Sequence, residues 1–159
     1  QVAANTVRLE LALLSHLCVT GQRPAGAFLL SPWTDLTLSG ASLVTNARRE
    51  QMLPADRLTE IRALILGGAR PNDADDPRLS PLHAPFPDAP PVLIHVAESE
   101  ILRDDSLRLR HRLPDAEIRV AGDLPHVWPI LHQYLPEARA TLDQTAAFIT
   151  ACLTDKAPH

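Results

Sequence analysis

Two strand-like runs, Ala25–Leu30 (AGAFLL) and Pro91–Val96 (PVLIHV), set the strongest limit on what this chain can fold into. AGAFLL is continuously apolar and reads as a buried strand of a parallel sheet, and PVLIHV is the best strand in the sequence. Helix-like segments lie around them in the places such a sheet requires. Val7–Val19 is leucine-rich and nearly apolar all round, the pattern of a buried helix, and Gly21 to Pro24 stop it. A second helix is predicted from Pro54 to Gly67-Gly68, with Leu58, Ile61, Leu64 and Ile65 on one face. A third, around Asp104–Leu113, carries Leu107, Leu109 and Leu113, and a last, amphipathic one runs from Pro136 to Leu153 with Leu142, Ile149 and Leu153 inward. Glu117–Ala121 alternates and reads as a short edge strand. Ser39 to Glu50 is polar without a clear period, and Gly67 to Pro91 reads as a long surface connection. Alternating helices and strands predict an α/β layered fold with a parallel sheet. Three strands make a poor independent sheet, so other strands are expected to continue it on one side.

The 159 residues suit one domain or part of one, and the 45% hydrophobic and 21% charged shares are those of a globular protein. A net charge of −4, with both signs interspersed, gives no basic footprint for nucleic acid and no polybasic membrane patch. No apolar run approaches the roughly 18–20 residues of a membrane span, and no secretory signal is recognisable at the N-terminus, so a cytoplasmic setting is expected. Cys18 and Cys152 fall in helix-like apolar runs and read as buried free thiols. Two cysteines do not suggest a zinc site or a disulfide framework, and no metal or other cofactor is expected.

Glu100 follows PVLIHVAES and therefore sits just past the carboxyl end of a strand, where sites form in open α/β sheets. A carboxylate there can accept a hydrogen bond from a histidine Nδ1–H and stabilise the imidazolium that forms during proton transfer. It can equally serve the N-terminal dipole of the next helix, a task for which Asp104 and Asp105 compete. His126, in DLPHVW, lies on a loop between a short strand and the last helix, a position open to a general base. An exposed loop histidine of no special role fits the same position. The remaining six histidines lack such a context, and His95 reads as packed within its strand.

Three longer segments resemble one family in the right order. GAFLLSPWTDLTLSGASLVTNA is similar to the strand and following loop of the hormone-sensitive-lipase-like esterases of the α/β-hydrolase fold. PPVLIHVAESEILRDDSLRL is similar to that family's acid-bearing segment, and GDLPHVW resembles its histidine loop. The resemblance runs from about residue 9 to the C-terminus and implies that residues 1–159 are the C-terminal portion of one α/β-hydrolase domain, with part of a helical cap near residues 37–71. It implies Glu100 as the triad acid, His126 as the triad histidine, and Trp33 and Asp35 as supports behind the site. The implied activity is carboxylic ester hydrolysis on a small acyl ester.

Two departures from the family pattern carry weight. The order nucleophile, acid, histidine requires a serine on a G-x-S-x-G turn, and no such motif occurs in the chain. Counting back places that turn at QVAANT, with Ala3 or Ala4 at the serine position, and no oxyanion-hole H-G-G precedes it. Ser31, Ser80, Ser99 and Ser106 lack the strand–turn–helix setting of a nucleophile. The stretch from Leu113 to His126 is also short, which predicts a displaced final strand and histidine loop. The alternative to an esterase is thus an inactive relative serving as a binding or interaction module. Either reading expects self-association or a complementary N-terminal half.

Overall fold

The computed structural model describes residues 2–67 and 73–154, with the side chains of residues 2–8 outside the description. Three strands, β1 (Ala27–Leu30), β2 (Val92–Ala97) and β3 (Glu117–Ala121), form a wholly parallel sheet in the order β1-β2-β3. Ala27 is registered with Val92, and Leu93 with Glu117. The helices are α1 (Val2–Val19), α2 (Ser42–Thr45), α3 (Leu58–Leu66), α4 (Arg103–Arg108) and α5 (Pro136–Thr154). Every residue of β2 is buried, His95 included, whereas the expected burial of AGAFLL fails at Phe28, which is exposed on β1, an outer strand of this sheet.

Side chains alternate across a strand, and β2 divides its own accordingly. Val92 and Ile94 join Leu11, Leu14, Cys18, Leu29, Leu109 and Leu113 in one core on the α1 side. On the other face His95 meets the ring of Trp128 edge-on at 6.4 Å, and Ala97 packs with Trp128 and Ala138 of α5. A third cluster, Trp33, Leu36, Leu58, Ile101 and Leu102, lies beyond the carboxyl ends of β1 and β2, where the excursion through α2 and α3 folds back over the turn after β2.

Several expectations need correction. Leu142, Ile149 and Leu153 do not point inward; they are exposed, while Ala138, Thr141, Thr145 and Cys152 are buried. The reason is close approach: a Cβ on Gly26 would lie 2.7 Å from Cys152 Sγ, so only small side chains fit between α5 and the sheet. Leu9 and Leu13 are exposed, so α1 is buried on one face and not all round; Leu64 and Leu107 likewise face outward. The segment after α3 is not a surface connection. Ser80, Pro81, Leu82, Ala84 and Phe86 are buried, with Leu82 N–H donating to Thr34 C=O; residues 68–72 lie outside the described part.

The short stretch before His126 does not displace β3. α4 has six residues and passes into a 3-10 turn, Leu109–His111, and β3 pairs with β2 from Leu93 to Ala97.

Candidate active site

The turn after β2 carries the acid. Glu100 is fully buried, and its N–H donates to Ala97 C=O. Its Oε1 accepts from the Ala97 N–H at 2.6 Å and from Ser31 Oγ at 2.8 Å. Its Oε2 lies 2.7 Å from His126 Nδ1, and His126 is itself buried. The two residues singled out from sequence therefore meet directly. Asp104 and Asp105 do not cap α4. Asp104 accepts the Ser42 N–H, and Asp105 accepts the Thr34 and Asp35 N–H groups, tying the loop after β1 to the start of α4.

The histidine loop is held by the acid turn. Glu98 N–H donates to the carbonyls of Ala121 and Gly122, and Ser99 Oγ donates to Leu124 C=O. Arg49 pairs with Asp123. Val127, at φ +54°, donates its N–H to Ser31 Oγ at 3.1 Å. Among the described residues His126 Nε2 has no hydrogen-bond partner.

Two polar residues that gave no sequence signal hold the acid turn. Asn46 Nδ2 donates to the carbonyls of Glu98 (2.9 Å) and Glu100 (2.8 Å) from a buried position. Ser42 Oγ donates to Ile101 C=O and accepts the Asp104 N–H. Both lie in the stretch without a period, because side chains that satisfy a loop follow the loop's carbonyls and not a helix face.

Trp33 and Asp35 sit behind this turn. Trp33 Nε1–H donates to Asp35 C=O. Burial alone would push the Asp35 carboxyl up, but the Ser39 and Thr37 hydroxyls, the Arg108 guanidinium and the Thr37 N–H outweigh it and hold it far below the usual carboxylate range. Asp105 differs: burial pushes its carboxyl up to about 7 despite two backbone donors. His95 is pushed down to about 4, chiefly by burial.

None of the four serines considered from sequence is hydrogen-bonded to the His126 ring. Ser31 bonds to the acid, Ser80 to Ala74 C=O, Ser99 to Leu124 C=O, and the buried Ser106 hydroxyl has no partner. The backbone at Ala3 and Ala4 is helical, and their side chains lie outside the described part. Among the described residues no group of three or more His, Cys, Asp and Glu side chains could hold a metal ion.

A family model described as the alpha/beta hydrolase fold matches residues 6–129. The chain belongs to that family. An acetyl-hydrolase of Streptomyces hygroscopicus is 35% identical over 130 residues, covering 79% of this chain and 42% of the relative. An esterase of Acinetobacter venetianus is 34% identical over 158 residues, covering 94% of this chain and 51% of the relative. The crystal structure of an esterase from the bacterial hormone-sensitive lipase family superposes with a TM-score of 0.81 at 35% identity, over 89% of this chain and 48% of that one. This chain thus spans about half the length of the relatives it matches, and its sheet is part of an α/β-hydrolase fold. No helix among the described residues is long and apolar enough to cross a membrane.

Proposed function

We propose that this chain carries the acid and histidine of a serine-dependent carboxylic ester hydrolase. The supporting observation is the buried 2.7 Å contact between His126 Nδ1 and Glu100 Oε2. A carboxylate on Nδ1 favours the tautomer protonated there and leaves the Nε2 lone pair free to take a proton. In this reading Nε2 removes the proton of a serine hydroxyl as it attacks the ester carbonyl. Glu100 stabilises the imidazolium, which then gives its proton to the departing alkoxide; the same histidine activates the water that hydrolyses the acyl-enzyme. The serine and the oxyanion donors come from sequence beyond these 159 residues.

Residues 37–71 contribute to a cap over the acyl pocket, a role supported by the packing of Leu38, Leu43, Leu53 and Ile61 onto Trp33, Ile101 and Leu102. Exposed Leu9, Leu13 and Phe28, on α1 and the outer strand β1, support association with a complementary N-terminal half or a second copy. Free Cys18 and Cys152 fit a cytoplasmic setting.

Hydrolysis of a p-nitrophenyl short-chain ester tests the reading. The 159-residue chain alone gives no turnover, whereas the polypeptide that includes the upstream coding sequence turns over and loses about 10⁴-fold or more in kcat on His126→Ala. Full activity in that variant overturns the role of His126. Turnover by the 159-residue chain that vanishes on His126→Ala overturns the placement of the nucleophile. The second reading, an inactive relative acting as a binding module, draws on Ala3 or Ala4 at the serine position. It predicts a folded longer polypeptide without ester turnover that still binds an acyl ligand.

A further inference from the structure

We propose that Ser31 is a positioning residue whose hydroxyl couples the acid to the histidine loop and so holds His126 Nδ1 on Glu100. This rests on the reading of Glu100 and His126 as a catalytic pair. Ser31 Oγ makes two bonds of opposite sense: it donates to Glu100 Oε1 at 2.8 Å and accepts the Val127 N–H at 3.1 Å. One buried atom therefore joins the end of β1, the turn after β2 and the loop after β3. With the Ala97 N–H also on Oε1, that oxygen is occupied from two sides and Oε2 is left facing Nδ1. Two donors on Oε1 thus fix the carboxylate in rotation.

The backbone gives independent support. Ser31 has φ +50° and Val127, at the other end of the bond, φ +54°, both in the left-handed region that side chains rarely adopt. The following Pro32 restricts Ser31 further. Glycine would relieve the strain at position 31 but has no hydroxyl. Strained residues persist where the surroundings hold them and cluster at functional sites. Ser31 N–H also donates to His95 C=O at 2.8 Å, which fixes where its Oγ starts from.

The test reads the histidine directly and needs no nucleophile. In 15N-edited spectra of the chain, His126 should be the Nδ1–H tautomer, with a low-field Nδ1–H resonance protected from solvent. Ser31→Ala and Ser31→Gly should each speed exchange of that proton at least tenfold and reduce the population of the tautomer. Ser31→Gly relaxes the backbone, so agreement between the two variants assigns the effect to the hydroxyl; it also keeps the test available if Ser31→Ala fails to fold. Recovery of wild-type protection in Ser31→Gly alone would make the serine a matter of backbone strain and overturn the proposal. So would unchanged spectra in both variants while Glu100→Gln abolishes the protected resonance. If Glu100→Gln also leaves His126 unchanged, the pairing of acid and histidine is wrong, and Ser31 has no such role.

Discussion

Replacing Asn46 tests the claim that the acid turn is held by side-chain amide donors. Asn46 is 3% exposed, and both of its Nδ2 hydrogens are used, on the carbonyls of Glu98 and Glu100. Asn46→Ala removes both bonds. The Glu100 carbonyl keeps the Arg103 N–H at 3.2 Å, so its loss is that of an ordinary net hydrogen bond, about 1 kcal/mol. The Glu98 carbonyl has no other donor among the described residues, so the cost there approaches the desolvation of an unsatisfied acceptor, about 1–3 kcal/mol. The sum is about 2–4 kcal/mol. With a urea slope of about 2 kcal/mol per molar, the unfolding midpoint should fall by about 1–2 M without a change of slope.

Asn46→Asp sharpens the prediction, because it preserves shape and reverses chemistry. A carboxylate is acceptor-only and would face two carbonyl oxygens in a buried site. It should therefore be more destabilising than Asn46→Ala at pH 7, and should recover part of the loss in acid, where a protonated oxygen can donate once. Urea titrations at pH 5 and 7 decide the matter. An aspartate variant as stable as wild type would mean that the amide does not donate to these carbonyls, and the account of how the acid turn is held would fail.

Two further outcomes follow from the packing and the buried charges. Gly26→Ala should cost about 1–3 kcal/mol, because its Cβ would meet Cys152 Sγ at 2.7 Å and Pro91 C=O at 3.3 Å; much of that cost should disappear in a Cys152→Ala background, as a double-mutant cycle in urea would measure. Asp105, with its folded-state carboxyl raised to about 7 against 3.8, contributes most favourably in acid and loses stability as pH rises from about 4 to 7, so Asp105→Asn should flatten the fall in urea midpoint between pH 5 and 8; an unchanged slope with pH would show that Asp105 is ionised throughout.

The sheet and the acid–histidine pair were legible because each has a local signature. A run such as PVLIHV, apolar but for His95, has few other places to go, and Glu100 and His126 lie just beyond predicted strands. The inward face of α5 was not legible. Hydrophobicity selects Leu142, Ile149 and Leu153, whereas contact with the sheet selects small residues beside Gly26 and a hydroxyl, Thr141, to receive the Trp128 Nε1–H at 3.0 Å. The roles of Ser31, Ser42 and Asn46 were hidden for a related reason. Each satisfies polar atoms brought together by tertiary structure, across 52 to 96 positions of sequence for Asn46 and Ser31.

The connection between Leu113 and His126 shows which features fix the site. If chain length set the position of the histidine loop, removing residues would pull His126 away from Glu100. β3 stays paired with β2 from Leu93 to Ala97, and His126 Nδ1 lies 2.7 Å from Glu100 Oε2. A parallel strand must keep its register with β2 or turn its side chains to the opposite face. From β3 onward the loop is tied at Glu98, Ser99, Arg49 and Ser31. All four lie on the turn after β2, in the segment following α2, or at the end of β1. Glu100 and His126 therefore stay together because bonds among loops at one end of the sheet hold them.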